Sequence, residues 1–306
     1  MDTSKPRVSI GLPVFNGENF LEEALDSILA QTYRDFELII SDNASTDRTE
    51  EICETYSGRD QRIRYYRNEK NLGASENFNR VFELSSGEYF KWAAHDDVLH
   101  PEYLSRCVTV LDQDPSIVLC HAKTGCIDED SSLVGMYSDY DYLRISSPKP
   151  HERFFDLMLD LHWCYIVFGV VRAKALKLTS LLGKYPASDR TLLAQLGLIG
   201  RLYQIPECLF SRRDHSQTHW RVWGNDPKRV VWFDPTKSGR ITFPHWRLCF
   251  EYFISIRKGA LTLSERFLCL TQVVKLLFKH RWRNTLPMWR WLLVDLKRAA
   301  KQLWSG

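Results

Sequence analysis

The most constraining feature of the chain is a rhythm over its first 121 residues, in which short apolar runs alternate with stretches of helical spacing. Val8 to Phe15, Phe36 to Ser41, Ile63 to Tyr66, Glu88 to Ala93 and Ile117 to His121 read as five strands. Between the first two, the pairs Phe20/Leu21, Ala24/Leu25 and Ile28/Leu29 recur every four residues. Ile52, Cys53 and Tyr56, then Phe78, Val81 and Phe82, mark the next two helices. Pro101 opens a further one, striped by Tyr103, Leu104, Cys107, Val108 and Leu111. A helix between each pair of strands is the crossover that parallel pairing requires. The expected class is α/β, a Rossmann-like, mainly parallel sheet flanked by helices.

Beyond His121 the pattern loosens. Ser138 to Pro150 reads as a loop, Ile166 to Val171 as a strand, and Asp189 to Ile199 as a helix striped by Leu192, Leu193, Leu196 and Ile199. From about Phe243 the periodicity is helical to the end. The expected organisation is one principal domain over residues 1–223, a linker over 224–242 and a helical extension over 243–306.

A chain of 306 residues with 44% hydrophobic and 26% charged content has enough apolar surface for a sizeable core, which argues against widespread disorder. Its net charge of +3 is unevenly spread: Thr271 to Gly306 holds eight Lys/Arg and one acid, Asp295, so the rest is mildly acidic. The eight cysteines are scattered without a C-x-x-C pair, which removes zinc-knuckle spacing and fits free thiols in a reducing cytoplasm. The polar stretch from Met1 to Arg7 does not read as a signal peptide, and no uninterrupted apolar run reaches the roughly 18–20 residues of a spanning helix.

In open α/β sheets, ligands bind beyond the carboxyl ends of the strands. The polar clusters lie there: Pro13 to Gly17 after the first strand, Asp42 to Asp47 after the second, and His95-Asp96-Asp97 after the fourth. Adjacent carboxylates repel by about 1 kcal/mol at ~4 Å in water, and more when partly buried. A hard divalent cation with oxygen ligands, completed by phosphate, removes that cost. A cap on the helix opened by Pro101 is the other use of the same pair.

Five motifs in register resemble the inverting family 2 glycosyltransferases of GT-A fold. Pro13-Val14-Phe15-Asn16-Gly17 is similar to that family's P-x-[FY]-N opening, and Asp42-Asn43-Ala44-Ser45-Thr46-Asp47 to its D-[DNG]-x-S-x-D block. Asn71-Leu72-Gly73 with Asn77 matches N-x-G followed by Asn, and Gly87-Glu88-Tyr89 precedes the acidic site at the family's distance. The agreement runs from Val8 to Tyr103 and continues more weakly to His219. The resemblance implies a nucleotide pocket at Pro13, Phe15 and Asn16, a nucleobase contact at Asp42, and a nucleotide-sugar surface at Asn71 and Gly73. It also implies a metal and diphosphate site at Asp96 and Asp97. Ala94 stands where many relatives carry a further acid, which makes His215 a candidate third metal ligand. Arg212-Arg213-Asp214-His215 resembles the family's Arg-x-His segment, and places Arg213 against the diphosphate. Asp189, after Ser188 at a helix start, corresponds to the general base, although either residue also suits a helix cap.

The resemblance thus implies transfer of a sugar from a nucleotide-sugar donor, UDP- or dTDP-linked, to a hydroxyl of a glycan or lipid-linked acceptor. Inversion at the sugar and Mn2+ or Mg2+ are part of the expectation. A non-catalytic nucleotide-sugar-binding protein is the alternative that Ala94 and Ser188 favour. A nucleotidyltransferase would want a glycine-rich basic loop where Asn16-Gly17-Glu18 stands, and no nucleic-acid recognition motif accompanies the basic residues. Trp289, Leu292, Leu293, Leu296, Ala300 and Leu303 form one apolar face near the end, and Phe267, Leu270, Val274, Leu277 and Phe278 another, ahead of Lys279-His280-Arg281-Trp282-Arg283. Such amphipathic, basic, Trp-bearing helices suit an anionic membrane surface, the inner face of the cell membrane being the expected location. Packing on the principal domain is the other reading of the same stripes.

Overall fold

β1 (Val8–Val14) is buried at every position and lies between two parallel neighbours, β2 (Phe36–Asp42) and β4 (Tyr89–Trp92). The computed structural model to which this strand belongs describes residues 5–137, 143–159, 164–218, 221–222, 229–278 and 288–304. Residues 138–142 of the expected loop, the expected boundary at Trp223, Lys279 to Arg283, and the side chain of Leu303 lie outside the described residues.

β3 (Ile63–Arg67) extends the parallel block beyond β2. The crossovers are α1 (Leu21–Leu29), α2 (Thr49–Arg59) and α3 (Ala74–Glu83), as their apolar spacing predicts. Gly11 explains how closely α3 sits on β1, since a Cβ there would fall 2.6 Å from Val81 Cγ2 and 2.7 Å from Phe90 Cζ. β4 ends opposite Gly11, so Pro13 stands beyond its last partner on that side, where a missing N–H breaks no ladder.

The other half of the sheet departs from the expected parallel order. β8 (Val170–Arg172) runs antiparallel to both β4 and β6 (Ile117–Ile127), and β6 pairs in parallel with β9 (Arg201–Arg213). The described strands run β3-β2-β1-β4-β8-β6-β9-β5, where β5 is Val98–Leu99, and β7 (Leu133–Tyr137) adds to β6. The sheet is mixed. The strand expected over Ile166 to Val171 begins instead as a 3-10 turn, Tyr165–Phe168, and only then enters β8.

Two apolar layers cover the sheet. One gathers α1, α2 and α4 (Tyr103–Gln113). The other gathers α3, α5 (Pro150–Met158), the short α6 (Ala173–Leu176) and α7 (Ser188–Ile199). The terminal helices α9 (Pro244–Lys258), α10 (Leu263–Phe278) and α11 (Met288–Trp304) join this second layer. Cys249, Tyr252, Ile256, Cys269, Val273, Leu276 and Met288 are buried in the same cluster as Leu157 and Leu192. The segment beyond Phe243 is therefore part of the principal core rather than an appendage. The expected linker also has structure, α8 (Arg229–Phe233) and a 3-10 turn at Pro235–Lys237. All eight cysteines are free, and Cys107 and Cys120 are buried.

His121 lies inside β6, and burial pushes its imidazole from the usual 6.5 down to about 4. The unfolded chain takes up a proton near pH 6.5 that the folded chain refuses until about pH 4, so stability falls as the pH drops through that window. The loss amounts to about 3 kcal/mol. Urea denaturation of wild type and His121→Leu between pH 7 and 4 should give curves that converge by that amount; parallel curves would refute the assignment.

Candidate active site

The chain leaves β4 through Ala93 and Ala94 and enters β5 after Asp97, so the acidic pair sits in a five-residue link between strands. Its two carboxylates face different ways. Asp97 is buried, and its Oδ1 accepts the main-chain N–H of Arg213 at 3.0 Å. Asp96 lines the cleft, with its Oδ2 2.9 Å from Nε2 of His215. Burial pushes the Asp97 carboxyl well above the carboxylate range, and the neighbouring Asp96 charge pushes the same way. Burial also works against ionisation of Asp96, but the charge of His95 and the His215 contact outweigh it and hold Asp96 low. At neutral pH the pair presents one committed charge to the cleft, that of Asp96.

Beneath this link lies Lys91, fully buried, donating from Nζ to the carbonyls of Trp92 (2.9 Å) and Phe168 (2.7 Å). Its ammonium sits 4.9 Å from the Tyr103 ring centre, and burial lowers its pKa to about 7.

Strand alternation separates the two adjacent arginines at the end of β9. Arg213 points inward with no exposed surface. Its guanidinium donates to the carbonyls of Asp96 (3.0 Å) and Asp128 (2.8 Å), the Ser131 hydroxyl (2.9 Å) and Glu23 Oε2 (2.5 Å). It does not line the cleft, so the expected diphosphate contact is corrected: this side chain is spent on holding the site together. Arg212 takes the opposite face, beside Asp214 (3.1 Å) and over the Tyr165 ring, and lines the cavity that holds Asp97 and Asp189.

Two cavities meet at Asp96. The larger, about 950 Å³, is lined by Pro13, Phe15, Asn16 and Asn71, together with His95, Asp96 and His215. The smaller, about 280 Å³, is lined by Asp96, Asp97, Ser188, Asp189 and Arg212. Ala74, Phe78, Ala94, Thr218 and Trp232 border both. Asn16 takes the left-handed conformation (φ 51°) and accepts the Thr46 N–H at 2.9 Å, which ties the first motif to the second. Asn71 accepts from Asn43 (2.9 Å) and from the Gly73 N–H (2.8 Å).

Two expected contacts are not where the motifs put them. Asp42 is fully buried and does not line the larger cavity, with Oδ1 accepting from Ser45 N and Oγ (2.9 and 2.5 Å) and Oδ2 from Tyr65 (3.0 Å). Gly73 is required for a close approach, but by the chain itself. At φ 87° an added Cβ would lie 2.6 Å from Pro235 and 2.7 Å from the Phe233 carbonyl.

Asp189 stands in the first turn of α7, behind Ala187 in the left-handed conformation (φ 63°). The N-cap is Ala187, so neither Ser188 nor Asp189 occupies that position. Asp189 Oδ1 accepts the Arg190 N–H at 2.8 Å, and Oδ2 has no partner among the described residues. The Ser188 hydroxyl is buried without a partner. The sequence reading missed Trp232 and Pro235, which wall the larger cavity. Their signal was available in Trp232-Phe233-Asp234-Pro235, an unusually apolar stretch for a linker.

Loss of the Arg213 guanidinium strands buried carbonyls, so Arg213→Met should lower unfolding free energy by about 3 kcal/mol. Arg212→Met should change it by less than about 1 kcal/mol while impairing ligand binding. Equal destabilisation in urea titrations of the two variants would contradict this division.

The fold is shared with solved structures at low sequence identity. Staphylococcus aureus TarS 1–349 in complex with UDP matches with a TM-score of 0.65 at 16% identity, over 96% of this chain and 80% of that one. A mannosyltransferase of Pyrobaculum calidifontis in complex with GDP-Man and Mn2+ matches with a TM-score of 0.53 at 17% identity, over 99% and 89%. Both are GT-A folds, and so is this chain. Among curated proteins, an uncharacterised glycosyltransferase of Rickettsia typhi is 32% identical over 70% of this chain and 66% of its own length. Abequosyltransferase RfbV of Salmonella typhimurium is 40% identical over 39% and 37%. The chain spans less than two thirds of the length of the first of these relatives. The profile of glycosyl transferase family 2 matches residues 9–177, more than half of the chain, which therefore belongs to that family.

Proposed function

We propose that the chain transfers a sugar from a nucleotide-sugar to a hydroxyl of a glycan or lipid-linked acceptor, with inversion. The observation that carries this reading is the meeting of two cavities at Asp96, with Asp189 lining the smaller one. The larger cavity suits the donor. With Asp42 buried, a uracil or thymine base would lie at Phe15, which is 44% exposed. The donor's diphosphate would lie beside Asp96 and His215.

The residues fit a divalent cation there through one carboxylate and one imidazole, a donor pair that suits Mn2+ and tolerates Mg2+. Asp97 is turned to Arg213 instead, and no cluster of three or more His, Cys, Asp or Glu suited to a metal occurs among the described residues. The phosphates themselves would have to complete such a shell. A bound cation would offset charge on the departing nucleoside diphosphate.

Asp189 supplies the acceptor chemistry. The Arg190 N–H fixes Oδ1 and leaves Oδ2 free to take the proton of an acceptor hydroxyl as it attacks the anomeric carbon. Attack from the cavity opposite the diphosphate inverts that carbon.

Peripheral membrane contact is supported by α10. It buries Cys269, Val273 and Leu276, and exposes a second apolar stripe at Leu263, Phe267, Leu270, Val274 and Phe278. The exposed cations Arg257, Lys258 and Lys275 accompany it. No described helix is long and apolar enough to cross a membrane. An anionic surface, on the cytoplasmic side of the cell membrane, suits this combination.

With Mn2+ present, a panel of UDP-, dTDP- and GDP-sugars should include a donor that is slowly hydrolysed or that raises the melting temperature. Silence across the panel would end the enzyme reading. Asp189→Asn should reduce transfer by about 10²–10⁴-fold with donor binding retained. Retained transfer would remove Asp189 from the mechanism. Replacing Phe267 and Phe278 by Ser should weaken binding to phosphatidylglycerol vesicles by about tenfold or more. Undiminished binding would show that this stripe does not meet the bilayer.

A further inference from the structure

A third cavity, about 690 Å³, lies behind the wall of the catalytic pair, between the turn at Ser180–Tyr185, the segment after α8 and the start of α9. One short segment, residues 230–237, forms both sides of that wall. Trp232, Phe233 and Pro235 face the catalytic cavities, whereas Val230, Asp234 and Lys237 face the third.

The third cavity is basic, with Lys184, Lys237, Arg240 and Arg247 among its lining residues. Two of these are already matched: Lys184 pairs with Glu76 and Arg247 with the buried Glu251, each at 2.5 Å. Lys237 and Arg240 have no side-chain hydrogen bond or ion pair among the described residues. The remaining acid does not answer them, because Asp234 turns its Oδ1 onto Thr236, accepting from N at 3.1 Å and from Oγ1 at 2.7 Å. Gly239, at φ 71°, makes the turn that brings Lys237 and Arg240 to one cavity. The adjacent N-terminus of α9 contributes little, since Asp295 already accepts its His245 N–H at 2.9 Å.

The rim is apolar. Ile241 and Phe243 line the cavity yet are 37% and 40% exposed, and Trp246 and Phe250 continue the exposed surface along α9 at 46% and 59%. Two unmatched cations beneath an exposed apolar rim suit a phosphate group that carries a hydrocarbon chain.

We propose that this cavity binds the phosphate or diphosphate of a lipid-linked acceptor, with its hydrocarbon chain over Ile241 and Phe243. That identity of the ligand rests on the glycosyltransferase reading; the anion site itself rests on Lys237 and Arg240. Anchoring there would leave the donor's diphosphate to the separate cleft at Asp96.

Calorimetry on the full chain tests this with inorganic pyrophosphate and farnesyl diphosphate, for wild type, Lys237→Glu/Arg240→Glu, the milder Lys237→Gln/Arg240→Gln, and Asp96→Asn. The proposal expects both probes to bind wild type and farnesyl diphosphate to bind about tenfold more tightly than pyrophosphate. It expects both double variants to weaken binding, the Glu pair by more than about tenfold. Equal affinity for the two probes would overturn the lipid assignment and leave a site for free phosphate. Binding that survives both double variants, or that Asp96→Asn abolishes, would overturn the site. Donor hydrolysis in the same variants keeps the two readings apart. Intact hydrolysis with lost diphosphate binding supports the anchor, and hydrolysis absent from wild type refutes the enzyme without touching the site.

Discussion

A guanidinium with no access to water governs the geometry of the candidate active site. Arg213 reaches from β9 to three separate pieces of chain: the link that carries Asp96, the turn at Asp128 to Ser131, and α1 through Glu23. Burying such a charge is tolerable only because every bond it makes is to a carbonyl, a hydroxyl or a carboxylate. Its main-chain N–H holds Asp97 as well. The Phe20 ring lies 4.6 Å from the guanidinium carbon, and packs against His215 with ring centres 4.8 Å apart. The position of the Asp96–His215 pair therefore follows from contacts made behind it.

The same arrangement divides labour between adjacent carboxylates. Two equivalent charges in one short link would repel each other and, in the absence of a cation, loosen the loop. Here Asp97 is drawn inward toward Arg213 and the region of Lys91, and burial suppresses the charge of both Asp97 and Lys91. Asp96 stays ionised at the cavity surface. The missing acid at Ala94 matters less under this arrangement, because the small side chain borders both cavities where they join.

The first four strands and their crossovers were legible because apolar spacing and strand-end motifs point the same way there. Residues within those motifs were less so. Asp42 matches a motif, yet whether its carboxylate faces a ligand depends on Ser45 and Tyr65, which only folding brings to it. Arg212 and Arg213 illustrate the same limit. Spacing to His215 selects Arg213, but neighbouring positions on a strand point to opposite faces, and the register with β6 sets which one is inward. The terminal helices misled for another reason. The outward stripe of α10 is more apolar than its inward face, where Cys269, Gln272 and Val273 do the packing.

That inward face links the two surfaces of the protein. α10 packs on α5, and α5 packs on α7, the helix that carries Asp189. The second contact is close, since a Cβ on Gly197 of α7 would lie 2.7 Å from Leu157 Cδ1, and Arg153 Nε donates to the Gly197 carbonyl at 2.7 Å. Close-packed interiors transmit displacement rather than absorb it. A helix that rests its outer stripe on a bilayer would then set the orientation of α7 through a single intervening helix. The terminal helices therefore share one packed core with the helix that carries Asp189.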